Sequence, residues 1–386
     1  MTSDANRLHA LHELGQSPWL DNLRRGWLAS GELEAWVDRG IRGLTSNPSI
    51  FQKAISAGSD YDEQFGDLIA GGRSVGDAYW DLVTSDIEGA LGLLRPVYDS
   101  SDGVDGYVSV EVAPDLARDS AGTEAAARLL HTAINEPNLY VKIPGTAEGL
   151  GPIETMIGEG RSINITLIFS LERHAQVMEA YLRGLEHHVD MLRSAADGSA
   201  AGPPAELALA KISSVASFFI SRVDTEVDRR LEEIGTDAAL ALRGKTAVAQ
   251  GQVAYQQFRK TFSGSRWEAL AAQGARVQRP LWASTSTKNP AYPDTSYVDH
   301  LIGPDTVNTM PEDTIDAFLD HGTVARTIDA DPGAAEAVLD AVTDVGVDLD
   351  DVGRVLEEQG VAAFAKSFDE LLGALDTKAA ELGATG

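Results

Sequence analysis

Asn138-Leu-Tyr-Val-Lys-Ile-Pro-Gly145 reads as a β-strand, apolar and β-branched, with a lysine inside it and a Pro-Gly turn at its end. Taking an ammonium out of water costs several kcal/mol. The chain has only eight lysines among its 31 basic residues, so Lys142 is not solubility filler. Desolvation drives an amine toward its neutral form, which can attack a carbonyl carbon. The alternative is a lysine that snorkels to solvent just ahead of the turn.

Working outward, Ser162-Ile-Asn-Ile-Thr-Leu167 alternates strictly. Ser162, Asn164 and Thr166 share one face of a strand, and Ile163, Ile165 and Leu167 the other. Ser109 and Glu111 repeat the pattern in Tyr107-Val-Ser-Val-Glu111, as do Tyr140 and Lys142. A single such strand would suit a solvated sheet edge; several together point to a polar interior. Strands are expected near Pro18–Asp21, Ile41–Leu44, Tyr107–Glu111, Leu139–Lys142, Ser162–Thr166, Ile212–Ser217, Pro280–Ser284 and Asp305–Asn308. Helical periodicity fills the gaps at Ala78–Leu94, Thr123–Ala133, Leu171–Val189, Val223–Ile234 and Val248–Phe262. Strands alternating with helices predict an α/β fold, a (β/α)8 TIM barrel with additional N-terminal and C-terminal helices. An open doubly wound sheet is the competing architecture. Residues 1–386 are read as a single barrel domain, with 311–386 as a C-terminal helical extension packed on it. Ser194–Pro204, rich in Ala, Gly, Ser and Pro, reads as a surface insertion.

Composition narrows the function. A formal charge of −28 argues against a nucleic-acid backbone or an anionic membrane as partner. The absence of cysteine removes disulfides, thiolate metal sites and thiol nucleophiles. Met1 to Gln16 has neither the basic start nor the apolar run of a signal peptide, and no stretch reaches membrane-span length, so a cytoplasmic protein is expected.

Polar residues gather where the proposed strands end: Asp21, Asn47, Glu111, Lys142, Ser217 and Ser284. In a barrel these ends meet at one mouth. There Lys142 can form an imine with a ketone, an electron sink that weakens a carbon–carbon bond two atoms away. Asp21 and Glu111 can serve as base and acid–base partner, Asn47 and Asn164 can bind sugar hydroxyls, and Thr166 can orient a water. Arg222, just past the sixth strand, and Lys288, just past the seventh, can form a dianion site. Plainer readings stand beside each: a helix cap for Asp21, a surface carboxylate for Glu111, a turn residue for Asn47, an ion pair with Asp224 for Arg222, and a solvated loop for Lys288.

Five motifs carry a resemblance: Leu44-Thr-Ser-Asn-Pro-Ser49, Val108-Ser-Val-Glu-Val112, Val141-Lys-Ile-Pro-Gly-Thr146, Ile163-Asn-Ile-Thr-Leu-Ile-Phe-Ser170 and Ser217-Phe-Phe-Ile-Ser-Arg222. In this order and spread the chain resembles the transaldolases. The resemblance implies a Schiff-base lysine at 142 and Asp21 as base on the substrate C4 hydroxyl. It further implies that Glu111 and Thr166 share a catalytic water, that Asn47 and Asn164 hold a dihydroxyacetone unit, and that Ser217 and Arg222 bind near the phosphate. Phe219 stands where fructose 6-phosphate aldolase relatives carry tyrosine, which favours transfer over release. One departure concerns the seventh strand. Ala283-Ser-Thr-Ser-Thr-Lys288 lacks the arginine that commonly follows Ala-Ser, which leaves Ser284 and Lys288 there and resembles a longer-chain branch. A fructose 6-phosphate aldolase-type enzyme and a non-catalytic sugar-phosphate-binding protein are the alternatives. Sugar phosphates are the expected small-molecule partners, with no cofactor and no metal, and a homo-oligomer is compatible with the chain.

Other motifs lead elsewhere. Gly145–Gly151 lacks the lysine of a phosphate-binding P-loop, His187-His188 reads as a helix end, and Asp99–Gly106 reads as a turn.

Overall fold

The computed structural model describes residues 6–196 and 209–384. Strands β1 (Gln16–Leu20), β2 (Gly43–Thr45), β3 (Tyr107–Glu111), β4 (Leu139–Pro144), β5 (Ile163–Ile168), β6 (Ser214–Phe219), β7 (Arg279–Ala283) and β8 (Thr306–Met310) follow one another around a parallel sheet. β8 pairs with β1, so the sheet closes and the open-sheet alternative falls. Each strand lies within two residues of its expected bounds, because β-branched runs between helical stretches are unambiguous in β/α folds. Among the described residues, no helix is long and apolar enough to cross a membrane.

Three details differ from expectation. First, the helix Leu171–Ala196 continues past Val189, so His187-His188 lies inside it and does not end it. His188 Nδ1 meets the Gly158 carbonyl at 2.8 Å, which anchors that stretch to the preceding helix. Second, Ser194 is helical; the expected insertion from residue 197 onward lies outside the described residues. Third, the alternation in β5 stops at Thr166. The register shifts between Ile165 and Ile168, and Leu167 adopts φ 60°. Such a bulge bends a strand and re-aims the side chain beside it.

The barrel interior is stacked in layers. At the N-terminal end, Asp105 has a fully buried carboxylate. It accepts from Ser17 Oγ (2.7 Å), and Arg279 Nη2 (3.2 Å) and Arg42 Nε (3.3 Å) pair with it. Above this layer, the rings of Tyr107 and Tyr140 stack with centroids 4.0 Å apart, and Trp19 stacks on Tyr140 at 6.1 Å. Gly43 is required here: a Cβ would fall 2.3 Å from the Trp19 ring. These aromatics plug the lower barrel and leave only the C-terminal mouth for chemistry.

Burial alone would raise the Asp105 carboxyl, but Arg279, Ser17 and Arg42 together hold it below the usual carboxylate range. A depressed folded-state pKa gives stability that is present above the unfolded value of 3.8 and lost as pH falls through the folded value. Asp105→Ala is therefore expected to cost about 3–5 kcal/mol at pH 7, because it strands buried guanidinium groups. Urea unfolding checks this, and the gap to the parent should narrow below roughly pH 4.

The C-terminal helices reach the mouth. The helix Leu349–Ala384 packs on the helix Pro48–Ser56 and on β5, with Gly360 against Leu167 and Phe169. Ser49 Oγ donates to Ser367 Oγ at 2.7 Å, and Glu357 pairs with both Arg118 (2.9 Å) and Arg173 (3.4 Å). Lys378 is hydrogen-bonded to Asp62.

Candidate active site

A cavity of about 700 Å³ opens at the C-terminal mouth of the barrel. Its wall includes Asp21, Asn47, Lys142, Thr166, Ser217, Phe219, Arg222, Ser284 and Lys288, nine of the eleven candidate residues. The other two, Glu111 and Asn164, sit directly behind this wall.

Lys142 does not snorkel. It is 5% exposed, and its Nζ lies 3.2 Å from Glu111 Oε2 and donates to the Ser46 carbonyl at 3.3 Å. The register explains the pairing: Glu111 on β3 is directly opposite Lys142 on β4, and Lys142 is opposite Asn164 on β5. Side chains of directly opposed residues point to the same face of a sheet, here the barrel interior. Glu111 is buried, not a surface carboxylate, and burial raises it above its usual range although Lys142 pulls the other way.

Asp21 follows β1 and caps no helix. Its Oδ1 accepts from Thr45 Oγ1 at 2.8 Å, and Thr45 Oγ1 also meets Thr309 Oγ1 at 2.8 Å. Burial raises the Asp21 carboxyl, against the pull of Lys142 and of the Thr45 hydrogen bond. Two carboxyl groups that burial pushes upward thus share the mouth with one enclosed amine, an arrangement suited to proton transfer.

Asn47, read as a turn residue or a ligand of sugar hydroxyls, is a helix N-cap that also faces the cavity. Its side chain caps the helix Pro48–Ser56 by accepting from Ile50 N at 3.0 Å. Asn164 is fully buried, donating to Ser109 Oγ (3.0 Å) and accepting from Ser217 Oγ (2.7 Å), so it braces Ser217 from behind. Among the described residues, Thr166 Oγ1 is a buried polar atom with no hydrogen-bond partner, and Glu111 Oε2 has only the Lys142 ammonium beside it. Phe219 packs on Phe169, centroids 4.9 Å apart, and presents its ring to the cavity.

Arg222 forms no ion pair with Asp224, whose oxygens are taken by Ala247 N (2.7 Å) and Tyr297 Oη (2.9 Å). Its guanidinium lies 5.5 Å from the centroid of the Phe219 ring, and burial lowers its pKa. Lys288 is an exposed loop lysine that donates to Ser286 Oγ. Partial desolvation of its ammonium at the cavity, and then Arg222 nearby, push its pKa down. Both cations face the cavity, and among the described residues neither has a carboxylate ion-pair partner, in a chain with 59 acidic residues. That is the electrostatic signature of an anion site.

Sequence reasoning missed Thr45, Lys53, Arg24, Glu312 and Phe364, which also line the cavity. Thr45 was within reach, two residues after the inward Gly43. Phe364 carries no local signal, because it arrives from a helix that packs across the mouth.

The chain matches the family model described as Transaldolase/Fructose-6-phosphate aldolase over residues 18–375. It is 50% identical over 367 residues to a transaldolase of Thermobifida fusca, covering 95% of this chain and 96% of that one. A transaldolase of Frankia alni is 47% identical over 99% of each chain. Transaldolase 1 of Streptomyces avermitilis is 46% identical, covering 100% of this chain and 99% of the relative. The chain belongs to the transaldolase/fructose-6-phosphate aldolase family.

Proposed function

We propose that this chain is a cytoplasmic transaldolase of the pentose phosphate pathway. It moves a dihydroxyacetone unit from sedoheptulose 7-phosphate to glyceraldehyde 3-phosphate, giving erythrose 4-phosphate and fructose 6-phosphate. The observation that carries this reading is the enclosed Lys142 amine, 3.2 Å from Glu111 and on the same cavity wall as Asp21.

Lys142 Nζ adds to the ketose C2, and the carbinolamine loses water to give a protonated imine. Glu111 and Thr166 manage the proton and the water; the buried Thr166 hydroxyl without a partner and the Glu111 carboxyl against the Lys142 amine support that role. Asp21 takes the C4 hydroxyl proton, the C3–C4 bond breaks, and the aldose leaves with C4 as its aldehyde carbon. The electron pair remains on C3 as an enamine. Phe219 offers no hydroxyl to protonate that carbon, so the enamine persists until an acceptor aldehyde arrives. C3 then attacks the acceptor's carbonyl carbon, Asp21 returns a proton to the new alkoxide, and water hydrolyses the imine. Asn47 and Asn164 hold the dihydroxyacetone hydroxyls; Ser217, Arg222, Lys288 and Ser284 lie toward the phosphate.

The test is borohydride reduction in the presence of fructose 6-phosphate, followed by peptide mapping. One adduct on Lys142 is expected; an adduct on another lysine, or none, would remove the assignment. Release of free dihydroxyacetone without an acceptor would point instead to an aldolase.

A further inference from the structure

We infer that Tyr292 and Tyr297 are positioning residues that clamp the Lys288 loop onto the helix carrying Arg222, holding both cations in register for one phosphate. The inference rests on the phosphate role proposed above for these two cations.

Ser221, Asp224 and Asp228 are spaced i, i+3 and i+7 on the helix Ser221–Ile234 and so lie along one face. The chain leaving β7 returns to that face three times. Ser284 accepts from Ser221 N at 3.1 Å and meets its hydroxyl at 2.9 Å. Tyr292 Oη donates to Asp228 Oδ2 at 2.5 Å, and Tyr297 Oη to Asp224 Oδ2 at 2.9 Å. Ser286 and Lys288 lie between the first tie and the second. Thr285 Oγ1 holds the start of this span on β8, donating to Asn308 Oδ1 at 2.9 Å. Thr287 Oγ1 closes it on itself through the Pro293 carbonyl at 2.9 Å. The second tie is what fastens it to the helix beside Lys288.

Both carboxylates are held on their other oxygen as well. Asp228 Oδ1 accepts from Gly244 N at 2.9 Å, and Asp224 Oδ1 from Ala247 N at 2.7 Å. Gly244, at φ 70°, has no Cβ, and an added one would fall 2.7 Å from the Tyr292 ring. The hydroxyl end of the ring therefore lies against the Gly244 backbone. Asp224 and Asp228 are 2% and 8% exposed, so these are desolvated, charge-assisted hydrogen bonds, stronger than surface contacts. A cavity of about 220 Å³ between helix and loop is lined by these four side chains and by Lys288 itself. A lysine is a point charge on a flexible stem, so its loop must supply the geometry that an arginine fork would carry built in.

The test compares glyceraldehyde 3-phosphate with unphosphorylated glyceraldehyde as acceptor for Tyr292→Phe, Lys288→Gln and the double variant. Tyr292→Phe should lower the preference for the phosphorylated acceptor about tenfold, through KM with kcat retained, the scale of one charge-assisted hydrogen bond. Lys288→Gln should lower it at least as much, and the double variant no further than Lys288→Gln alone. Asp228→Asn, which keeps an oxygen for the Gly244 N–H, is a second arm with the same expected shift should Tyr292→Phe fail to fold. Equal losses with both acceptors, or an unchanged preference in Tyr292→Phe beside a lowered one in Lys288→Gln, would overturn the clamp. An unchanged preference in Lys288→Gln would overturn the phosphate reading itself, and the clamp with it.

Discussion

Lys142→Ala is expected to lose at least about four orders of magnitude in kcat and to yield no borohydride-trapped adduct. The size follows from the chemistry. Without an imine, the electrons of the breaking C3–C4 bond have no sink, and no other lysine stands beside Glu111. The variant should still fold. Removing the amine takes away the group that pulls Glu111 down, so burial alone acts on that carboxyl and favours its neutral form. A neutral acid is far cheaper to bury than a lone carboxylate. Near-parental thermal unfolding together with absent turnover is the expected pair of results. Retained activity would remove Lys142 as nucleophile.

Asp21→Asn is expected to slow carbon–carbon cleavage by about two to four orders of magnitude while leaving imine formation much less affected. Asparagine keeps an oxygen for Thr45 Oγ1 and so keeps the geometry, but it cannot accept the C4 proton. Single-turnover trapping separates the two steps, and equal slowing of both would contradict the base role. In the parent enzyme Asp21 must be ionised, and burial raises its pKa, so the acid limb of kcat/KM should lie above the ordinary carboxylate range of roughly 4. The stability sign is opposite. A raised folded-state pKa contributes stability below the unfolded value of 3.8, which is lost as pH rises through the folded value. Keeping Asp21 charged at pH 7 therefore costs stability, and Asp21→Asn should be at least as stable as the parent. Slower and no less stable is the combination expected at a functional carboxylate.

The order of strands and the inward direction of Ser109, Glu111, Lys142, Asn164 and Thr166 were legible in the one-dimensional pattern. A period of two admits only one face for a polar set when the other must meet helices. The burial of Lys142 beside a carboxylate was legible for a related reason: an ionisable residue in a buried strand is too costly to be there without a partner. Distances between strands were not. Nothing local says that Glu111 and Lys142 are opposite each other, that Asn164 stands behind Ser217, or that β5 bulges at Leu167. Register comes from closing all eight strands at once. Nor could Phe364, or the Tyr292–Asp228 tie across 64 residues of chain, be foreseen. Periodicity reports which face of an element is buried, whereas the partner it is buried against depends on how every other element packs.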